Sequence, residues 1–102
     1  MSQFSLSLSE GVVVVKGELT FDTVVDALRQ ASPLFGTQGD VKLDLRSVKR
    51  IDSAGLSLLI EWVRQLRRQQ RRLTVLNPPH QLGRLAKISG VNDIFSVDTI
   101  VQ

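Results

Sequence analysis

The 102-residue sequence has no cysteine, one histidine and few aromatic residues, which make up 5% of the chain. Without cysteine there is no disulfide bond, no thiolate metal ligand and no cysteine nucleophile. The one histidine, His80, leaves too little for a multi-histidine metal site, and a Ser-His-Asp triad could barely be assembled. A glycine-rich phosphate loop and a nucleophile elbow are also missing. The sequence therefore predicts no catalytic residues, no metal and no cofactor.

Long apolar segments are absent as well. No run approaches the roughly 20 residues that a membrane-spanning helix requires, and residues 1–5 lack the basic start and apolar stretch of a signal peptide. We therefore expect a soluble, cytoplasmic protein. The length and the hydrophobic fraction of 42% fit one domain over residues 1–102 with an aliphatic core.

The net charge of +3 is unevenly distributed along the chain. Five arginines lie close together: Arg64, Arg67, Arg68, Arg71 and Arg72. The remainder of the chain is slightly acidic. No stacking aromatic residues are interleaved with them, so nucleic-acid binding is not expected. We interpret the segment as the solvated end of a helix that stops near Gln69 or Gln70, where cations are favoured by the helix dipole. Contact with an acidic partner or with anionic lipid is the alternative.

Alternating or β-branched runs predict five strands. They cover residues 4–9, 12–19, 40–45, 73–76 and 97–101. A turn at Glu10-Gly11 joins the first two strands into a hairpin. Because residues 12–15 are four consecutive valines, the second strand is expected to be covered on both faces. Residues 46–50 are expected to form a loop after the third strand.

Apolar residues at helical spacing predict three helices. The first is capped by Thr20 or Asp22 and ends between Ser32 and Gly36. Its expected buried stripe is Phe21, Val24, Val25 and Leu28. The second begins near Ser53 with the stripe Leu56, Leu59, Ile60, Val63 and Leu66, and Trp62 beside it either packs or anchors a partner. The third follows an Asn77 cap and two prolines in its first turn, with the stripe Leu82, Leu85, Ala86 and Ile88. It stops at Gly90, after which residues 91–95 dock back onto the core.

The order of these elements is β-β-α-β-α-β-α-β. Such alternation predicts an α/β protein with a mixed sheet, right-handed crossovers and helices packed on the sheet.

Residues 51–56, Ile-Asp-Ser-Ala-Gly-Leu, lie where a strand and loop lead into the second helix. A helix start offers unpaired N–H groups and the positive end of the dipole. Ser53, at or near the cap, can cap the helix, accept a phosphoryl group or face a protein partner. Asp52 can cap the helix, hydrogen-bond a neighbouring hydroxyl or hold a partner's donor, and Gly55 would let another surface approach the backbone. The simpler alternative is that Asp52 and Ser53 only cap the helix.

These residues resemble the STAS family. The resemblance rests on Leu43-Asp44-Leu45, on residues 51–56, on Leu58-Leu59-Ile60 and on residues 76–91, and it spans essentially the whole chain. It implies a STAS fold over residues 1–102 and a non-catalytic, protein-binding function.

Two branches of the family fit. The alanine at position 54 makes residues 51–56 similar to those of the MlaB-type subunits of Gram-negative ABC phospholipid transporters. These transporters maintain outer-membrane lipid asymmetry. This is the expected function, with docking on the transporter's ATPase at the inner membrane through Asp52, Ser53, Ala54, Gly55, Ser57 and Glu61. The alternative is an anti-sigma-factor antagonist, because a hydroxyl directly after the aspartate is where those proteins are phosphorylated. Ser53 would then be the phosphoacceptor of a kinase-like anti-sigma factor.

Overall fold

The elements of the computed structural model, which describes residues 4–88 and the backbone of residues 100–101, follow the predicted order β-β-α-β-α-β-α-β. The strands are β1 Phe4–Ser9, β2 Val12–Leu19, β3 Val41–Ile51, β4 Leu73–Leu76 and β5 Ile100–Val101. The helices are α1 Val24–Phe35, α2 Ser53–Arg68 and α3 His80–Ile88. Among residues 4–88, none of the helices combines the length and the hydropathy of a membrane span.

The strands form one sheet in the order β1-β2-β3-β4-β5. β1 pairs antiparallel with β2 through the predicted turn, where Glu10 and Gly11 have positive φ angles of 51° and 81°. Both angles are those of the tight hairpin turn whose twist matches the strands. β2, β3, β4 and β5 run parallel to one another. Because each new parallel strand is added on the same side, right-handed crossovers place α1 and α2 on one face of the sheet.

The expectation that β2 is covered on both faces is wrong. Val13 and Val15 are buried, whereas Val12 and Val14 are only half-buried. The helices cover one face, so every second side chain of β2 points away from them. The valine run reflects strand propensity here as much as burial.

β3 begins at Val41 and extends to Ile51, so the loop predicted at residues 46–50 is also wrong. The register against β2 shifts twice, between Val14 and Lys16 and between Gly17 and Glu18. At each shift β3 contains one residue more than β2, as in a β-bulge. The bulges keep Val48 and Ile51 on the buried face and bring Ile51 opposite Leu19. They therefore set where α2 starts relative to the end of β2.

The stripe predicted for α1 is wrong for three of its four residues. Phe21, Val25 and Leu28 are exposed, at 78%, 63% and 47%, while Ala27 and Ala31 are buried. The two alanines let the helix approach the sheet closely, and this rotates the larger residues outward. The N-cap residue of α1 is Thr23 rather than Thr20 or Asp22. The helix continues past Pro33, and Gly36 is its C-cap.

α2 packs much as predicted. Its buried residues are Gly55, Leu56, Leu58, Leu59, Trp62, Val63 and Leu66, and Ile60 is half-buried. Trp62 lies edge-on to Phe35 of α1, with ring centroids 5.1 Å apart and an interplanar angle of 76°. It is a packing residue and not an exposed anchor. The helix ends at Arg68 with Gln69 as its cap, which confirms the predicted end.

α3 begins at His80, after the prolines rather than with them in its first turn. Asn77 does not cap it: this residue has a φ of 52°, and its side-chain N–H donates to Asp44 Oδ1 at 3.1 Å. Leu82 and Ala86 are buried and Leu85 is half-buried, but Ile88 is 83% exposed. The predicted stop at Gly90 and the docking of residues 91–95 lie outside the described residues.

Arg71 is not part of a solvated helix end, because only 7% of it is exposed. Its Nε donates to the Gly39 carbonyl at 2.6 Å, and its terminal nitrogens donate to the carbonyls of Phe35, Gly36 and Gln38. These carbonyls belong to the end of α1 and the loop that follows, and a helix end leaves such groups without helical partners. One guanidinium therefore binds the carbonyls of the loop that connects α1 to β3 and holds this loop in place.

Replacing Arg71 with glutamine should lower the free energy of unfolding by about 2–3 kcal/mol, because four backbone carbonyls lose the charged donors of one buried side chain. Urea unfolding measures the effect. Arg64→Gln is the matched control, since Arg64 is exposed on α2, and it should change stability by less than about 0.5 kcal/mol. Equal effects of the two substitutions would contradict the role assigned to Arg71.

Candidate functional site

Asp52 is the N-cap of α2. Its backbone is extended, and its Oδ1 accepts hydrogen bonds from the N–H groups of Ala54 and Gly55 at 3.0 and 3.1 Å. A side-chain oxygen on these donors is the standard way to satisfy a helix start. Ser53 is therefore the first helical residue, and of the roles open to its hydroxyl, capping the helix is the one that Asp52 takes.

The second carboxylate oxygen of Asp52 binds a different segment. Oδ2 accepts from the Phe21 N–H at 3.1 Å, and the Asp52 N–H donates to the Leu19 carbonyl at 3.4 Å. Phe21 lies in the turn between β2 and α1. One carboxylate thus joins that turn to the start of α2.

The pKa of Asp52 is lowered from its ordinary value. Burial raises this pKa, but hydrogen bonds from the Gly55, Phe21 and Ala54 N–H groups and the charge of Arg50 outweigh the burial. All of these interactions favour the ionised carboxylate. Asp52 is therefore negatively charged at neutral pH.

Gly55 is buried and serves the chain's own packing. A Cβ atom at this position would lie 2.0 Å from the Leu19 carbonyl oxygen and 2.9 Å from Ile51 Cγ1. Another surface does approach the backbone at this glycine, as expected, and it is the end of β2 and β3 of the same chain.

The other predicted residues lie on the outer side of α2. Ser53 and Ser57 are exposed, and Ala54 and Glu61 are half-buried. Positions 53, 57 and 61 are spaced by four and share one face. The Ser53 hydroxyl makes no hydrogen bond to another residue of the described chain, whereas Glu61 Oε2 lies 3.6 Å from Arg68 and accepts from Gln65 at 3.4 Å. The structure thus brings five of the six residues together, with Gly55 beneath them.

Phe21 is a site residue that sequence reasoning missed. Its ring is largely exposed, while its N–H is fixed by Asp52. Its spacing fits the stripe predicted for α1. The signal against that placement is a pair of threonines just before the helix: Thr23 Oγ1 accepts from the Thr20 N–H at 3.0 Å, and the helix begins only at Val24.

Comparison with known proteins assigns the family. The family profile described as "Mlab, STAS domain" matches residues 2–101. The chain belongs to the STAS family.

Similar STAS proteins include sigma-factor regulators. The anti-sigma-B factor antagonist of Staphylococcus aureus is 32% identical over 88 residues, which cover 84% of this chain and 81% of that protein. A candidate anti-sigma factor antagonist from Thermotoga maritima has a similar structure, with a TM-score of 0.72, 16% identity and coverage of 97% and 86% of the two chains. The phosphorylated form of the Bacillus cell fate determinant SpoIIAA has a TM-score of 0.65, 21% identity and coverage of 97% and 89%. At these identities the two structures support the STAS fold alone.

Adding a methyl group at Gly55 should be severe for this STAS domain. Gly55→Ala should lower the free energy of unfolding by about 3 kcal/mol, because the new atom overlaps a backbone carbonyl that cannot move away freely. Gly83→Ala on α3 is the matched control: nothing lies within 4 Å of its Cβ position, and alanine should stabilise the helix by up to about 1 kcal/mol. A tolerated alanine at position 55 in chemical unfolding would refute the close contact.

The lowered pKa of Asp52 makes part of the stability depend on pH. A carboxylate with a lowered folded pKa stabilises the fold above its unfolded pKa of about 4, and this contribution disappears as the pH falls through the folded pKa. The free energy of unfolding of the wild type should therefore exceed that of Asp52→Asn by a constant margin above about pH 5. This margin should shrink below about pH 4.

Urea unfolding of both proteins between pH 3 and 7 measures this margin. Asp22→Asn is the control, because the Asp22 carboxylate is exposed and accepts no hydrogen bond from the described residues. It should follow the wild-type pH profile. A margin for Asp52→Asn that persists unchanged to pH 3 would contradict the ionised cap.

Proposed function

We propose that this STAS domain is a non-catalytic partner-switching protein, an anti-sigma-factor antagonist whose Ser53 is phosphorylated by a kinase-like anti-sigma factor. The observation that carries the proposal is the Ser53 hydroxyl, which forms no hydrogen bond with any other residue that the structure describes. It is exposed at the helix start, and Asp52 makes the capping hydrogen bonds in its place. The hydroxyl is therefore available to a partner without loss of a structural contact.

The geometry also explains how phosphorylation would act. A phosphoryl group adds a charge of about −1.5 to −2 at neutral pH. The Ala54 and Gly55 N–H groups that would otherwise receive it are already bound by the Asp52 carboxylate. The added charge would stay at the surface next to another negative charge, where it alters partner binding and leaves the fold intact.

The relatives support this function more than the transport function. Similar proteins that match over most of both chains include anti-sigma-B factor antagonists. The MlaB-type function is the second candidate, and it is favoured by Ala54 and by the description of the matching family profile. In that case the same surface would dock on the ATPase of a phospholipid transporter at the inner membrane.

Both candidates use one protein-binding surface: Asp52, Ser53, Ala54, Ser57 and Glu61. Both place the protein in the cytoplasm, as one STAS domain over residues 1–102 that needs no cofactor. They differ in the partner, which is a kinase-like anti-sigma factor in one and an ABC ATPase in the other. Co-purification of the tagged chain from its host, followed by mass spectrometry, separates them by the identity of the partner and by phosphate on Ser53.

Ser53→Asp should fold normally, because a carboxylate suits the first turn of a helix. It should weaken binding of the purified partner at least tenfold, which isothermal titration calorimetry can measure. Ser53→Ala should keep partner binding and abolish phosphorylation. Ser9→Asp adds the same charge on the exposed end of β1 and is the control. If Ser53→Asp and Ser9→Asp bind the partner equally well, the α2 start is not the binding surface.

A further inference from the structure

One face of the sheet carries no helix of the described chain. The parallel strands follow one another in the order β2-β3-β4-β5, so right-handed crossovers place their connecting helices on the same side. α3 accordingly contacts α2. On β3 the residues that face the helices are buried: Val41, Leu43, Leu45, Val48 and Ile51. The residues between them point to the other side of the sheet, which we call the uncovered face.

The two bulges of β3 concentrate positive charge on the uncovered face. A regular strand has one outward residue between successive buried ones. Between Leu45 and Val48, and again between Val48 and Ile51, β3 has two exposed residues instead. Three of these four residues are cations: Arg46, Lys49 and Arg50.

Together with two lysines, these arginines and Lys49 form a basic stripe along the centre of the uncovered face. Lys42 precedes the bulges on β3, and Lys16 joins from the neighbouring strand β2. Lys42 and Arg50 pair with residues of β2 that are six positions apart, so the stripe is about 20 Å long at about 3.3 Å per residue. The basic stripe consists of Lys16, Lys42, Arg46, Lys49 and Arg50.

The cations of the basic stripe are exposed, and none of them forms an ion pair with another residue among residues 4–88. Two half-buried carboxylates share the face, Glu18 and Asp44. Asp44 Oδ1 accepts hydrogen bonds from the Arg46 backbone N–H at 2.9 Å and from the Asn77 side chain at 3.1 Å. Five cations against two carboxylates leave the face with a net charge of +3. This charge favours an anionic partner.

The uncovered face has no exposed apolar or aromatic anchor. The large hydrophobic side chains that are exposed among residues 4–88 lie on the helices, on the turn before α1 or on the helix side of β1: Leu8, Phe21, Val25, Leu28 and Ile88. Protein interfaces contain an apolar centre, and proteins that bind single-stranded nucleic acid stack the bases on aromatic rings. The face therefore suits a partner that is recognised by its negative charge alone.

We propose that the uncovered face binds the surface of an anionic lipid bilayer. Such a surface presents many negative headgroups in one plane, and it attracts each lysine or arginine that comes within a Debye length. The long side chains of the basic stripe stand on a sheet face, so their charged ends reach one plane together. The helices lie on the opposite face and stay exposed to a protein partner. This inference is independent of the proposed function.

Flotation of the full chain with lipid vesicles tests the proposal. Vesicles of phosphatidylcholine with about 40% phosphatidylglycerol should carry the protein at about 50 mM salt, whereas vesicles of phosphatidylcholine alone should not. Binding should disappear at about 500 mM salt, because the Debye length then falls to roughly 4 Å. Failure to bind the anionic vesicles at low salt would overturn the proposal.

A double variant locates the charges that matter. Arg46→Gln/Lys49→Gln removes one cation from each bulge, and it should weaken binding to the anionic vesicles at least tenfold, since each cation accounts for about fivefold. Arg64→Gln/Lys87→Gln is the matched control: it removes one exposed arginine and one exposed lysine from α2 and α3, and it should weaken binding less than about threefold. Urea unfolding should show that both variants fold. Equal losses in the two variants would mean that net charge and not this face drives binding.

NMR reports which face meets the lipid. Nanodiscs of the anionic lipid mixture that carry a gadolinium-chelating headgroup should broaden the amide resonances of residues 12–16 and 42–50 most strongly. The amides of residues 57–68 on α2 should be affected least. The opposite pattern would contradict the proposal.

The remaining outcome concerns nucleic acid. If the chain binds a DNA duplex more tightly than the anionic vesicles, and Arg46→Gln/Lys49→Gln abolishes that binding, the stripe serves a nucleic acid and the inference is wrong. All of these measurements use lipid or DNA without the protein partner. They therefore leave the test of Ser53 unaffected.

Discussion

The carboxylate of Asp52 accepts three N–H hydrogen bonds from two separate parts of the chain. Two come from the first turn of α2, and one comes from Phe21 in the turn between β2 and α1. The arrangement depends on the two bulges in β3, which bring Ile51 opposite Leu19. It depends equally on Gly55, whose missing side chain allows α2 to begin against the Leu19 carbonyl. The site thus lies where the parallel strands β2 and β3 end, and the charged cap Asp52 fixes the start of α2 there.

The cap has a functional consequence. In many helices the residue at the start is needed for stability, and a modification there would disturb the fold. Here Asp52 makes the capping contacts, so the neighbouring Ser53 carries an exposed hydroxyl that hydrogen-bonds to no other residue among residues 4–88. In the proposed function, phosphorylation of Ser53 would change partner binding while the fold stays the same.

Much of the fold could be predicted from the sequence, because alternation and helical spacing report directly on which side chains are buried. The order of elements, the hairpin and the α2 site follow from such local patterns. The face of α1 did not, since Ala27 and Ala31 give a weak hydrophobic signal although they make the close contact with the core. Arg71 could not be distinguished from its exposed neighbours, because its acceptors are backbone carbonyls more than 30 residues away along the chain. The role of Gly55 depends on the Leu19 carbonyl, which only the paired strands bring near.

The central claim is that one ionised carboxylate holds both the α2 start and the Phe21 turn. NMR tests it most directly, by following the amide proton shifts of Phe21, Ala54 and Gly55 as the pH is lowered. Each proton that is hydrogen-bonded to the carboxylate shifts when that carboxylate is protonated. The account predicts that all three titrate with one shared midpoint below the ordinary value of an aspartate, which is about 3.9. A Phe21 proton that does not titrate with the other two, or a shared midpoint at or above that value, would contradict it.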